Sequence, residues 1–156
     1  MKKLLLLLSL LSICSFHAFS QAKENENDLI KKTIGNLLES MHQGDTTALQ
    51  DLFADKVLVL HVNSVSDTTS NVTTENSADY LKQVGAFRKE PWDMQIVRYD
   101  DMNVGNGIAV VWASYKFYIG KKFDHCGITV FQMIKRKNHW KFISVFYSIK
   151  TGNCPE

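Results

Sequence analysis

Residues 107–149 read GIAVVWASYKFYIGKKFDHCGITVFQMIKRKNHWKFISVFYSI. Three strand-like runs lie there, Ile108 to Ile119, Phe123 to Ile134 and His139 to Ile149. Each is rich in β-branched and aromatic residues, which suit a pleated, half-buried surface. The breaks between them, Gly120-Lys121 and Arg136-Lys137-Asn138, are polar and turn-prone. Long consecutive strands joined by tight turns must pair antiparallel. An antiparallel sheet is therefore expected at the centre of the fold.

Upstream of this stretch, Pro91-Trp92 punctuates entry into a fourth strand, from about Asp93 to Val104. Before it, Ser77 is expected to cap a helix that turns Tyr80, Leu81 and Val84 inward and stops at Gly85. Residues 63–76, NSVSDTTSNVTTEN, read as a polar loop with room for a short hairpin. Lys56 to Val62 alternates as a strand. Further back, Leu29, Ile30, Thr33, Ile34, Leu37, Leu38 and Met41 recur at helical spacing, with Asn27 or Asp28 as cap and Gly44 as stop. Asp45 or Thr46 opens a second, short helix through about Phe53. The order helix, helix, strand, helix, four strands is that of an α+β domain with helices gathered on one side of the sheet.

The early helical pair around Gly44-Asp45 joins a distinctive late segment. That segment is Trp112-x-x-Tyr115-x-Phe117-Tyr118-x-Gly120-Lys121-x-Phe123-x-His125-Cys126-Gly127, followed by Phe131-Gln132 and Trp140-Lys141. Together they resemble the NTF2-like (SnoaL-like, lumazine-binding-like) superfamily, especially small exported Bacteroidota members of unknown function. The resemblance covers nearly all of residues 21–156 and implies one domain. It implies a cone, with N-terminal helices packed on a strongly curved, mostly antiparallel sheet. The concave face of such a sheet forms a pocket, and the convex face often pairs subunits. The superfamily hosts isomerases, dehydratases, cyclases and non-catalytic binders, so the resemblance speaks to fold and not to reaction. One departure is visible: relatives end the last strand with a Thr-Arg pair, whereas this chain reads Tyr147-Ser148-Ile149-Lys150. A lysine replaces an arginine fork only in part.

Residues 1–20 have the pattern of a secretory signal peptide: Lys2-Lys3, an apolar run from Leu4 to Ile13, and Ala18-Phe19-Ser20 as a cleavage site. Ile13 stands before Cys14 where a lipoprotein signal wants a small residue, so cleavage near Ser20 is the expectation. A periplasmic or secreted protein follows, with no membrane association after cleavage. Without the leader, Lys plus Arg equals Asp plus Glu at 16 each, which removes any basic footprint for nucleic acid. The local run Lys135-Arg136-Lys137 reads as a solvated hairpin tip. Cys126 and Cys154 remain, either as a disulfide that export permits or as two thiols.

Two-residue turns at Gly120-Lys121 and Lys137-Asn138 would set Tyr115 opposite Cys126, Ser114 opposite Gly127, Phe131 opposite Ser144 and Thr129 opposite Phe146. One face then carries Ala109, Val111, Ala113, Tyr115, Cys126, Ile128, Ile143 and Val145, suited to packing under helices. The other carries Trp112, Ser114, His125, Thr129, Phe131, Met133, Trp140 and Phe142, suited to a ligand pocket or a dimer interface. A slip of one residue would exchange the two assignments.

His125 is the first candidate for acid/base chemistry, with Tyr115 as an oxyanion donor. Trp112, His61, Tyr80, Trp92 and Thr129 are candidate ligand contacts. No metal is expected, since neither H-x-H nor H-E-x-x-H occurs. No cofactor is expected either, for want of a Gly-rich phosphate loop or G-x-S-x-G. Strand interiors read as nearly free of Asp and Glu, which removes the paired carboxylates of isomerase-type sites. Two functions remain. One is a non-catalytic module for a small ligand or a protein partner, pairing as a homodimer through the sheet. The other is a cofactor-free isomerase- or hydrolase-like enzyme working through His125.

Overall fold

The computed structural model describes residues 25–66 and 69–154. Among them are three helices, α1 (Glu26–Gln43), α2 (Thr46–Leu52) and α3 (Ser77–Gly85). The strands are β1 (Phe53–Ser66), β2 (Thr69–Asn76), β3 (Trp92–Gly105), β4 (Ile108–Ile119), β5 (Lys122–Arg136) and β6 (His139–Ile149). They form one sheet in the order β2-β1-β6-β5-β4-β3. Every neighbouring pair is antiparallel except β1 and β6, which run parallel. Helix α1 packs against both β3 and β6, so the sheet curls around it. The α+β cone expected from the sequence is the fold observed. The signal-peptide segment lies outside the described residues.

Helix α1 buries Ile30, Ile34, Leu37 and Met41, the stripe that the periodicity marks out. It starts earlier than expected, capped by Asn25, whose side chain accepts the Asn27 N–H. The extra turn brings Glu26 to the Trp140 indole N–H at 3.0 Å and to the Lys135 ammonium. Gly44 ends the helix in the left-handed region, φ 71°, as a stop glycine should. Asp45 caps α2 by accepting the Ala48 N–H at 2.9 Å. Asn76, one residue before the expected Ser77, caps α3.

Three expectations need correction. The segment 63–76 is not an open loop but the hairpin for which the sequence leaves room, longer than expected: β1 runs on to Ser66 and β2 returns from Thr69. β2 is an edge strand with nearly every residue exposed, so it needs no apolar alternation to pair. The basic run is not simply solvated either. Lys135 is tied to Glu26, and Arg136 meets Asp55 at 2.9 Å.

The third correction concerns register. At the β4–β5 tip the expected pairing holds, Ile119 with Lys122 and Tyr118 with Phe123. A bulge at Asp124 then shifts the ladder by one, so Phe117 pairs with His125 and Tyr115 with Gly127. A second bulge, at Ile143, separates the Met133–Phe142 pair from Gln132–Ser144. Phe131 therefore opposes Val145, and Thr129 opposes Tyr147. The result places His125, Thr129, Phe131, Met133, Trp140 and Phe142 on the inner face with Tyr115. Cys126, Ile128, Val130 and Trp112 go outside. Sequence alternation cannot show these shifts, because each bulge changes the parity of everything beyond it.

Candidate functional site

Inner side chains at one end of the cone meet one another. At the other end they leave a cavity of about 270 Å³. Leu37 and Met41 of α1 and Tyr80 of α3 form one wall. Trp92 and Met94 of β3, with Phe117 of β4, form the next. Tyr147 and Ile149 of β6 close the third side, and the fully buried Phe131 lies at the base. Gln83, Ile119 and Asp124 are exposed and mark the rim.

His125 forms part of the wall, with 9 % of its surface exposed. Its ring stacks on Phe117 at 4.8 Å and meets the edge of Tyr115 at 5.7 Å. Its Nδ1 lies 2.7 Å from the Asp124 carboxylate. On a regular strand, neighbours such as these point to opposite faces. The bulge at Asp124 removes that alternation and turns both side chains into the cavity wall. An ionised carboxylate only accepts, so Nδ1 carries the hydrogen and Nε2 of the neutral ring keeps its lone pair. Nε2 is shut off from solvent and has no hydrogen-bonding partner in the protein. Buried polar atoms seldom lack a partner without a reason.

Tyr115 is fully buried and donates its hydroxyl to the Ser148 carbonyl at 2.7 Å. It crosses Gly127 to do so. A Cβ on Gly127 would stand 2.0 Å from the Ser148 oxygen, so only glycine fits there. The Ser148 side chain compensates by accepting the Ile128 N–H at 3.0 Å. Burial raises the Tyr115 pKa well above its ordinary value, with the charges of Tyr147 and Asp124 adding to it. The hydrogen that an oxyanion donor would need is therefore already spent.

A second polar cluster stands behind Tyr147. The Tyr147 hydroxyl lies 2.7 Å from Nε2 of His61, and the two rings are 4.4 Å apart. Glu75 approaches the same nitrogen at 3.7 Å, a charge contact rather than a hydrogen bond. The other Glu75 oxygen is buried without a partner. Burial lowers the His61 pKa against the opposing pull of Glu75. The phenol is the stronger acid of the pair, so Tyr147 donates and His61 accepts. Burial, then Glu75, raises the Tyr147 pKa. Tyr80, also held protonated by burial, donates to the Met41 sulfur at 3.0 Å.

Arg88 organises the rim. Its guanidinium donates to the carbonyls of Val84 at 2.7 Å, Gln83 at 3.0 Å and Met41 at 3.2 Å. It thereby caps the ends of α1 and α3 together. It also lies 4.2 Å above the Trp92 ring, which it presses into the wall. On the outer side of His125's strand, Cys126 is joined to Cys154 in a disulfide, which decides the question that the sequence leaves open.

Of the sequence candidates, the structure gathers His125, Tyr115, Tyr80 and Trp92 around the cavity. His61 stands one layer behind, in contact with Tyr147. Thr129 is wholly buried, bonds the Phe146 carbonyl and does not line the cavity. Trp112, 48 % exposed, is on the outer face. Sequence reasoning missed Glu75, because residues 63–76 read as a loop, and Arg88, which belongs to no motif. The adjacent acidic and imidazole residues at 124 and 125 were the available signal for the dyad. Among the described residues, no three or more His, Cys, Asp or Glu side chains gather as a metal site. None of the described helices is long and apolar enough to cross a membrane.

No family model matches the chain, and no curated protein matches it. Solved structures do. An NTF2-like protein of unknown function from Shewanella baltica is similar with TM-score 0.60 at 16 % identity, over 81 % of this chain and 95 % of that one. An NTF2-like protein from Cytophaga hutchinsonii is similar with TM-score 0.63 at 16 % identity, over 81 % and 99 %. A proposed dehydratase of the NTF2-like family from Streptomyces avermitilis is similar with TM-score 0.62 at 15 % identity, over 81 % and 97 %. At such identities the likeness is one of fold.

Proposed function

We propose that this chain, whose fold is NTF2-like, is an exported, non-catalytic module that holds a small, partly aromatic ligand inside the cone. One observation carries the reading: an apolar cavity of about 270 Å³ with a single orphaned nitrogen, His125 Nε2, in its wall. Small-molecule sites are concave, mostly apolar and furnished with few polar groups. An apolar cavity of about 150 Å³ takes up benzene, so this one has room for a somewhat larger molecule. The test is a titration with the neutral fluorophore N-phenyl-1-naphthylamine. Saturable binding that Val145→Phe, at the cavity wall, abolishes while the circular dichroism spectrum is kept supports the reading. No saturable signal from the unaltered protein would sink it.

The Asp124–His125 contact at 2.7 Å favours a second reading, a cofactor-free isomerase- or hydrolase-like enzyme. A carboxylate that fixes the imidazole tautomer prepares the other nitrogen as a base. Here His125 would move the proton, and Tyr115 would shape the wall rather than donate. Turnover of enone or ester probes no faster than by the His125→Gln variant would eliminate it.

Two further expectations belong to this proposal. The outer sheet face, with Trp112, Val130 and Phe146, is left uncovered by any described helix, and a second copy of the chain is its proposed partner. A solution mass of monomer only, at high concentration, would count against this. The leader places the protein in the periplasm or outside the cell; cell fractionation and an N-terminus at Gln21 are the checks.

A further inference from the structure

We propose that the cavity selects small aromatic molecules that donate a hydrogen bond through O–H or N–H, and rejects anions of the same size. The inference rests on the ligand-binding reading and concerns what kind of ligand that is. It follows from where the hydrogens on the wall have gone. The Tyr80 hydroxyl gives its hydrogen to the Met41 sulfur, and a thioether can only accept. The Tyr115 hydroxyl gives its hydrogen to the Ser148 carbonyl, which also can only accept. Tyr147 donates to His61, and His125 donates from Nδ1 to Asp124. What these four side chains keep is lone pairs, on three phenol oxygens and on the His125 Nε2, and only Nε2 is buried with no partner at all.

Charge points the same way. Among the described residues, no Lys or Arg lines the cavity. Arg88 stays at the rim, with its hydrogens on helix carbonyls. Asp124 borders the cavity, and the unpartnered Glu75 oxygen lies behind Tyr147. The remaining N–H groups on lining side chains belong to Gln83, exposed at the rim, and Trp92, under Arg88. An anion inside would lose its water and find acceptors, which is costly. A donor would supply the partner that His125 Nε2 lacks. The imidazole is part of the wall, but Nε2 itself is buried, so a donor reaches it only if the ring turns on its Phe117 stack.

The test is a calorimetric titration of the full chain with three probes of matched shape: 4-propylphenol, 4-propylanisole and 4-propylbenzoate. The phenol is expected to bind about tenfold more tightly than the anisole, and the benzoate not measurably. His125→Phe should erase the preference of phenol over anisole. Asp124→Asn, at an exposed position, should weaken it, because an amide can donate to Nδ1 and leave Nε2 protonated. Equal affinity of the unaltered protein for phenol and anisole, or tightest binding of the benzoate, would overturn the proposal and leave the ligand-binding reading standing. Binding of none of the probes would overturn the proposal, while the N-phenyl-1-naphthylamine titration decides the ligand-binding reading separately.

Discussion

The two ends of the cone are built from the same strands and held by different means. At the closed end, Phe131, Met133, Trp140 and Phe142 are buried against the Ile30 and Ile34 stripe. Packing fills the interior there, with the Trp140–Glu26 hydrogen bond, Lys135–Glu26 and Arg136–Asp55 at its margin. At the open end the inner side chains border empty space. The structure there is fastened from around the hole: Arg88 across two helix ends, Tyr115 onto Ser148, and Cys126 to Cys154. A region that leaves its interior empty is not stabilised by filling itself, so it is stabilised by clamps.

This contrast can be broken by substitution. Phe142→Ala at the closed end should cost about 3–5 kcal/mol in urea unfolding, as large truncations of packed aromatics do. Phe117→Ala at the cavity wall should cost less than half of that, since the ring already faces a void; equal costs would refute the distinction. Cys154→Ser should cost about 3 kcal/mol by freeing the cross-linked loop. Two titratable thiols in unreduced, denatured protein would rule the bridge out. Arg88→Ala should cost about 1–3 kcal/mol, by orphaning carbonyls at the ends of α1 and α3. It should also release Trp92, visible as a red shift of tryptophan emission.

The smallest expected effect is a pH dependence. Burial holds the folded His61 pKa below the 6.5 of the unfolded chain. Between those two values the unfolded state binds more protons, so stability falls as pH drops through 6.5 towards the folded pKa. Well above 6.5, where His61 is neutral in both states, this group contributes no slope. His61→Gln should flatten the decline; an unchanged slope would mean that His61 is not the group responsible.

Much of the fold is legible before any coordinates, for identifiable reasons. The α1 stripe works because Leu29 to Met41 bury a helix face with no interruption. The last strands work because Gly120, Lys137 and Asn138 sit in the left-handed region and fix two tight turns. The site is less legible. His125 stands out by residue type, but its face depends on one backbone bulge that no alternation pattern encodes. Glu75 is hidden because a polar edge strand looks like a loop. Arg88 matters through three backbone carbonyls, and carbonyls leave no mark on a sequence.

The bulge at Asp124 also says something about how such a site is gained or lost. Removing that one residue would leave Phe117 opposite His125 and every later pair in place, because the ladder already skips position 124. The cavity and its histidine would survive, and only the carboxylate would go. Insertion or deletion of a single codon at this position would therefore give this imidazole its partner or take it away without disturbing the sheet.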